Sequence, residues 1–129
     1  MKKILLMLLA FTGLILANNV HAQNIDAVIA GLKAGDTDKI SKNIGDNVVL
    51  NIAEKSNTYS TAQAVQVLKD FFTKSTVKGF EIKHKGVSPN GNYGIGTLTT
   101  KTGNYRVNIF MKKDGNIEVI KELRFQLIE

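Results

Sequence analysis

Three turn signals divide the second half of the chain into four long runs. Pro89-Asn90-Gly91, Lys101-Thr102-Gly103 and Lys113-Asp114-Gly115 each place Gly where a type I turn followed by a bulge needs a positive φ. The runs between them, Val77 to Val87, Asn92 to Thr100, Asn104 to Lys112 and Asn116 to Ile128, are rich in strand-forming residues. A four-stranded antiparallel meander of long strands follows, and its apolar face must be covered by the residues that precede it. With three-residue loops, Met111 pairs with Ile117, Ile109 with Val119 and Tyr105 with Leu123. Tyr105, Val107, Ile109 and Met111 then share the covered face with Leu123, Phe125 and Leu127, and Glu118 and Glu122 alternate outward. In that register Phe80, Ile82 and His84 fall on the other face. Either a β-bulge corrects strand 77–87 or the sheet curls and uses both faces there.

The cover is readable from the 3.6-residue period. Ile25, Val28, Ile29 and Leu32 recur at i, i+3, i+4 and i+7, one apolar stripe on a helix, with Asn24 as its expected N-cap and Asp26 in its first turn. Gly35-Asp36 breaks the chain. Asp36 or Thr37 can cap a second helix that carries Ile40 and Ile44 and ends at Gly45. Val48 to Ile52 reads as a strand, Glu54 to Asn57 as a polar turn and Thr58-Tyr59 as a short returning strand. Ser60-Thr61-Ala62-Gln63 matches a capping box, and the helix it opens carries Ala64, Val65, Val67, Leu68, Phe71 and Phe72. The order is α-α-β-(β)-α-β-β-β-β, which indicates α+β layers rather than a parallel sheet.

Ahead of this domain stands a segment that reads as an address. Met1-Lys2-Lys3 is a short basic start, Ile4 to Ala17 is an uncharged run of 14 residues, and Val20 and Ala22 fit the −3 and −1 positions of a leader-peptidase cut. A spanning helix needs about 20 apolar residues, so the run is too short for an anchor. The expected organisation is a signal peptide over residues 1–22 and one domain over 23–129, released with Gln23 as its N-terminus and exported to the periplasm or beyond. No membrane association is expected after the signal is removed.

Composition narrows the chemistry. There is no Cys, so thiolate catalysis, thiolate metal sites and disulfides are excluded. There are 17 Lys and Arg against 11 Asp and Glu; without Lys2 and Lys3 the mature chain carries +4. That is too mild for a polyanionic partner. Lys78, Lys83, Lys85 and Lys101 lack the interleaved aromatics of a nucleic-acid surface and read as solvated or edge-guarding lysines, so no nucleic acid is expected. His21 lies in the leader, which leaves His84 alone and no His-rich metal site. No metal and no cofactor are expected.

The opening Gly31-Leu32-Lys33-Ala34-Gly35-Asp36, then Ile40, Ile44 and Asp46-Asn47-Val48-Val49-Leu50, resembles the start of the nuclear-transport-factor-two-like superfamily. There an amphipathic helix, an "AGD" break, a second helix and a "DDVVL"-like strand follow in this order. The helix from Ser60 to Phe72 resembles that superfamily's third helix, and the meander matches in strand number and length. The resemblance covers the whole mature chain, and within the superfamily the chain is most similar to small secreted bacterial domains of unknown function. It implies a cone: a helical hairpin and a third helix packed on a strongly curved, four- to six-stranded antiparallel sheet, with a cavity at the open end. It also implies relatives that are steroid isomerases, dehydratases, epoxide hydrolases and polyketide cyclases beside non-catalytic binding modules, and a homodimer through the open sheet face.

Their catalytic sets do not carry over. The inward positions of the meander offer Tyr93, Thr97, Tyr105, Lys121 and Phe125, without a carboxylate. Tyr59, His84, Tyr93, Tyr105 and Phe125 are the candidate cavity-lining residues, and no catalytic residue is assigned. His84 is either an acid–base group beside a cavity tyrosine or a strand histidine between two lysines; a lone His without a positioned carboxylate favours the second. The expected function is an exported, non-catalytic domain that binds a small apolar ligand or a partner protein. The alternative is a small isomerase- or cyclase-type enzyme using His84 with a cavity tyrosine.

The leader makes the first prediction. Ala22→Asp blocks cleavage, because the −1 position requires a small neutral side chain. N-terminal sequencing of the exported wild-type protein reads Gln23 as its first residue; another start, or an uncut cytoplasmic protein, contradicts the assignment.

Overall fold

The computed structural model describes residues 24–128. The expected signal segment and its cut between Ala22 and Gln23 lie outside the described residues. Helix α1 spans Asn24–Ala34 and α2 spans Thr37–Ser41; β1 (Ile44–Ile52) and β2 (Lys55–Ser60) form a hairpin; α3 spans Thr61–Ser75. The strands β3 (Val77–Ser88), β4 (Gly91–Thr100), β5 (Gly103–Asp114) and β6 (Ile117–Ile128) follow as the meander. One six-stranded sheet results, in the order β2-β1-β6-β5-β4-β3. The architecture is α+β, as expected. The sheet is mixed rather than antiparallel, because β1 runs parallel to β6, with Leu50 beside Leu123 and Ile52 beside Phe125.

The helices form where the sequence signals stand. Ile25, Val28, Ile29 and Leu32 are buried along one side of α1. The Asp36 carboxylate accepts from the backbone N–H groups of Asp38 and Lys39 and so caps α2. Ser60 and Gln63 form both halves of the capping box on α3. Two details differ from expectation. Helix α2 stops at Ser41, and Ile44 and Gly45 already belong to β1, where Gly45 packs closely against Val119. The Asn24 side chain does not cap; its Nδ2 donates to the Glu118 carbonyl and ties the start of α1 to the sheet.

The register corrects three expectations with two causes, the turns and a bulge in β6. The three hairpins close with two-residue loops, pairing Ser88 with Gly91, Thr100 with Gly103 and Asp114 with Ile117. Tyr105 therefore pairs with Leu127 and not Leu123, Ile109 with Leu123 and not Val119, and Met111 with Ile120 and not Ile117. The slip is even over Asn104 to Phe110, so those side chains keep the face read for them. Between Phe110 and Met111 the register shifts, and Lys121 is the extra residue. That bulge reverses the alternation toward Ile117, and Glu118, expected outward, turns to Asn92, whose backbone N–H and Nδ2 donate to its carboxylate at 3.0 and 2.6 Å. Strand β3 carries its own bulges, between Val77 and Gly79 and between Ile82 and His84, which return Phe80 to the covered face beside Leu98.

The inward side of β4 is Gly94, Gly96, Leu98 and Thr100, all buried. Tyr93 and Thr97 therefore face outward, contrary to expectation. The reason is close approach: the Phe80 ring lies over Gly96, where a Cβ would meet it at 2.5 Å, and Ile82 and Ile25 close over Gly94. Glycine is the inward residue there, which an alternation of apolar and polar residues does not reveal.

The core joins α1, α3 and the covered sheet face through Val28, Leu32, Leu68, Leu98, Val107, Ile109, Leu123 and Phe125, all fully buried. Phe72 is 7% exposed and its ring meets that of Phe125 edge-on at 6.3 Å. Phe72→Ala should then cost about 3–5 kcal/mol. Arg106, on the outward face of β5, is exposed, and Arg106→Ala should stay within about 0.5 kcal/mol. Urea melts of the two variants check the contrast; equal small losses contradict the packing of α3 against β6.

Candidate functional site

The inward face of the β1–β2 hairpin and the side of α3 leave a cleft of about 290 Å³. Its floor is Leu50 and Ile52 from β1 with Val67 and Phe71 from α3. Val67, Phe71 and Lys74 stand at i, i+4 and i+7, which puts them on one side of the helix. On β2, Lys55, Asn57 and Tyr59 alternate onto the same face and lie opposite Ile52, Leu50 and Val48. The rim is therefore polar over an apolar floor: Lys55, Asn57, Tyr59, Asp70 and Lys74. Asn57 Nδ2 donates to the Tyr59 hydroxyl oxygen at 3.3 Å, and Gln66 Nε2 donates to the Asp70 carboxylate at 3.2 Å.

The turn that carries Lys55 is strained. Ala53 and Glu54 have φ of 51° and 74°, the arrangement of a type I′ two-residue turn that Asn-Gly ordinarily supplies. An L-residue in this region costs roughly 1–2 kcal/mol. The tight turn keeps β2 in register with β1 and so holds Lys55, Asn57 and Tyr59 over the cleft.

An aromatic cluster borders the inner end. The Phe71 ring lies 5.0 Å from that of Phe125 and 5.1 Å, edge-on, from that of Tyr105. Phe125 is fully buried, and Tyr105 is half-buried beside its cross-strand partner Leu127, a leucine left 49% exposed. Of the residues expected to line a cavity, Tyr59 lines the cleft, while Tyr105 and Phe125 stand behind Phe71 on the same side of the sheet.

His84 and Tyr93 are elsewhere. Both face outward, where His84 Nε2 lies 3.3 Å from the Tyr93 hydroxyl and the Tyr93 ring lies against Gly86. They are placed together but apart from Tyr59, Tyr105 and Phe125. Their neighbours across the sheet are Phe110, Asn108, Glu122 and Arg124, with Arg124 and Glu122 in an ion pair at 2.8 Å. A groove of about 430 Å³ runs past Tyr93, Phe110 and that ion pair. Among the described residues no three His, Asp or Glu side chains gather as a metal site requires.

Lys55, Asn57, Val67, Phe71 and Lys74 were not expected at a site. Their signal was in the sequence: Lys-x-Asn-x-Tyr is a period of two, and Val67, Phe71 and Lys74 share one side of a helix.

Comparison with known proteins gives the lineage. No curated protein matches the chain. A family protein from Bacteroides ovatus of known structure is 37% identical, with TM-score 0.77, over 80% of this chain and 94% of its own. Another from Bacteroides uniformis is 33% identical, with TM-score 0.78, over 81% and 96%. An uncharacterised cystatin-fold protein from Novosphingobium aromaticivorans shares the fold at 15% identity, with TM-score 0.62, over 79% and 93%. The family described as Domain of unknown function (DUF4783) matches residues 25–126, and the chain belongs to it and has a nuclear-transport-factor-two-like fold.

Proposed function

We propose that this is an exported, non-catalytic domain that binds a small apolar ligand in the cleft between α3 and the β1–β2 hairpin. One observation carries the reading: Ile52, Val67 and Phe71 form an apolar floor left partly open to solvent, backed by the buried Leu50 and continuous with the core through Phe125. Ligand sites combine such a floor with a few polar groups that fix orientation. The fold is compatible with this use and does not choose it.

The enzyme alternative needs a convergent acid–base set. His84 and Tyr93 stand on the outward face, and among the described residues His84 has no hydrogen bond to a carboxylate. A partner protein would use the outward face, where Tyr93, Ile95 and Phe110 are half-buried among polar residues; the homodimer expected from the superfamily resemblance places a second copy there.

Native mass spectrometry of the purified mature protein tests these readings together. The expected result is a dimer mass with a small organic ligand that is lost on denaturation. Val67→Trp, which fills the cleft, should purify without the ligand. A bare wild-type chain contradicts the ligand reading, and a monomer mass at ~100 μM, a concentration at which specific contacts are normally saturated, contradicts the dimer.

A further inference from the structure

We infer that the ligand of this cleft is a single-chain amphiphile with an acidic head group, an inference that rests on the ligand-binding reading above. The polar rim is rich in donors. Lys55 and Lys74 stand at its edges on two different elements, and neither is in an ion pair among the described residues, whereas Lys83, Lys85 and Arg124 are. The Tyr59 hydroxyl accepts from Asn57, which leaves its own O–H free to donate. Two ammonium groups and a hydroxyl call for a ligand group that only accepts, and a carboxylate or a comparable anion is that group.

Asp70 is the one acid at the rim, and its carboxylate is engaged by Gln66 on the next turn of α3. It does not cancel two lysines, so the rim keeps a net positive charge. The strained Ala53-Glu54 turn holds Lys55 on its side of the cleft, against Lys74 at the last turn of α3.

The rest of the ligand is set by the floor. Leu50, Ile52, Val67 and Phe71 offer no hydrogen-bonding side chain, so a polar body would lose its water without compensation. From Phe71 the apolar surface continues to Tyr105 and to the exposed Leu127. That strip gives a flexible alkyl chain a path beyond the cleft and accounts for a leucine left in solvent at the end of β6. A compact ligand would use the cleft alone; a chain uses both.

Calorimetric titration with three probes of equal chain length separates the claims: decanoate, decanol and decyltrimethylammonium. On the wild-type chain decanoate should bind about three- to tenfold more tightly than decanol, the range two exposed charge contacts can supply, and the ammonium probe least. The preference should shrink in high salt. The double variant Lys55→Gln with Lys74→Gln removes two exposed charges without touching the core; it should bind decanoate and decanol alike, with its melting temperature unchanged. Val67→Trp should weaken all three probes, and Leu127→Ser should weaken decanoate more than hexanoate. Equal binding of decanoate and decanol to the wild-type chain overturns the acidic head while leaving the apolar cleft in place. Binding of none of the probes overturns both readings.

Discussion

Phe71 and Phe72, consecutive on α3, close on one ring of the sheet, that of Phe125. Their centroids lie 5.0 and 6.3 Å from it, and Tyr105 meets Phe71 edge-on. Consecutive residues on a helix point about 100° apart, so this contact needs a sheet that wraps around the helix rather than lying flat beneath it. The bulges in β3 and between β5 and β6 bend and twist the strands toward that shape. Burial of Leu68 and Phe72 on one side, with Val67 and Phe71 half-covered on the next, follows from the same geometry. The cleft is the part of this seam that the β1–β2 hairpin does not finish.

Two glycines let the other helix in. With Gly94 and Gly96 inward, Phe80, Ile82 and Ile25 settle onto the backbone of β4. Bare backbone covered by a neighbouring aromatic recovers packing that glycine alone would forfeit. Tyr93 does the same over Gly86 on the outward face. This accounts for Tyr93 as a packing residue, which brings its hydroxyl beside His84.

The element order, the α1 stripe, the Asp36 cap and the Ser60–Gln63 capping box were legible because each depends on residues within a few positions of one another. So was an irregularity in β3, since the misplaced Phe80 and Ile82 called for either a bulge or a curl, and bulges are what form. The register of β5 with β6 was not, since a glycine at a turn does not by itself separate a two-residue loop from a three-residue one. The parallel pairing of β1 with β6 is set by contacts some 70 residues apart, which no local pattern encodes. The outward placement of Tyr93 and Thr97 and the inward turn of Glu118 were hidden by glycines and by the Lys121 bulge. At the site, Tyr59 was legible as a tyrosine on a short strand. Lys55 and Asn57 were obscured because their stretch reads as a polar turn, whereas the true turn is the strained Ala53-Glu54 pair.

The central claim is that α3 and the middle of the sheet form one cooperative core. Native-state hydrogen exchange measures this directly, since amides in one unit exchange with the free energy of the same opening. The account predicts that Leu68, Phe71 and Phe72 share the slowest class with Val107, Ile109, Leu123 and Phe125, while β2 exchanges faster. Fast exchange across α3 with a protected sheet would show a helix that docks loosely, and would contradict the account.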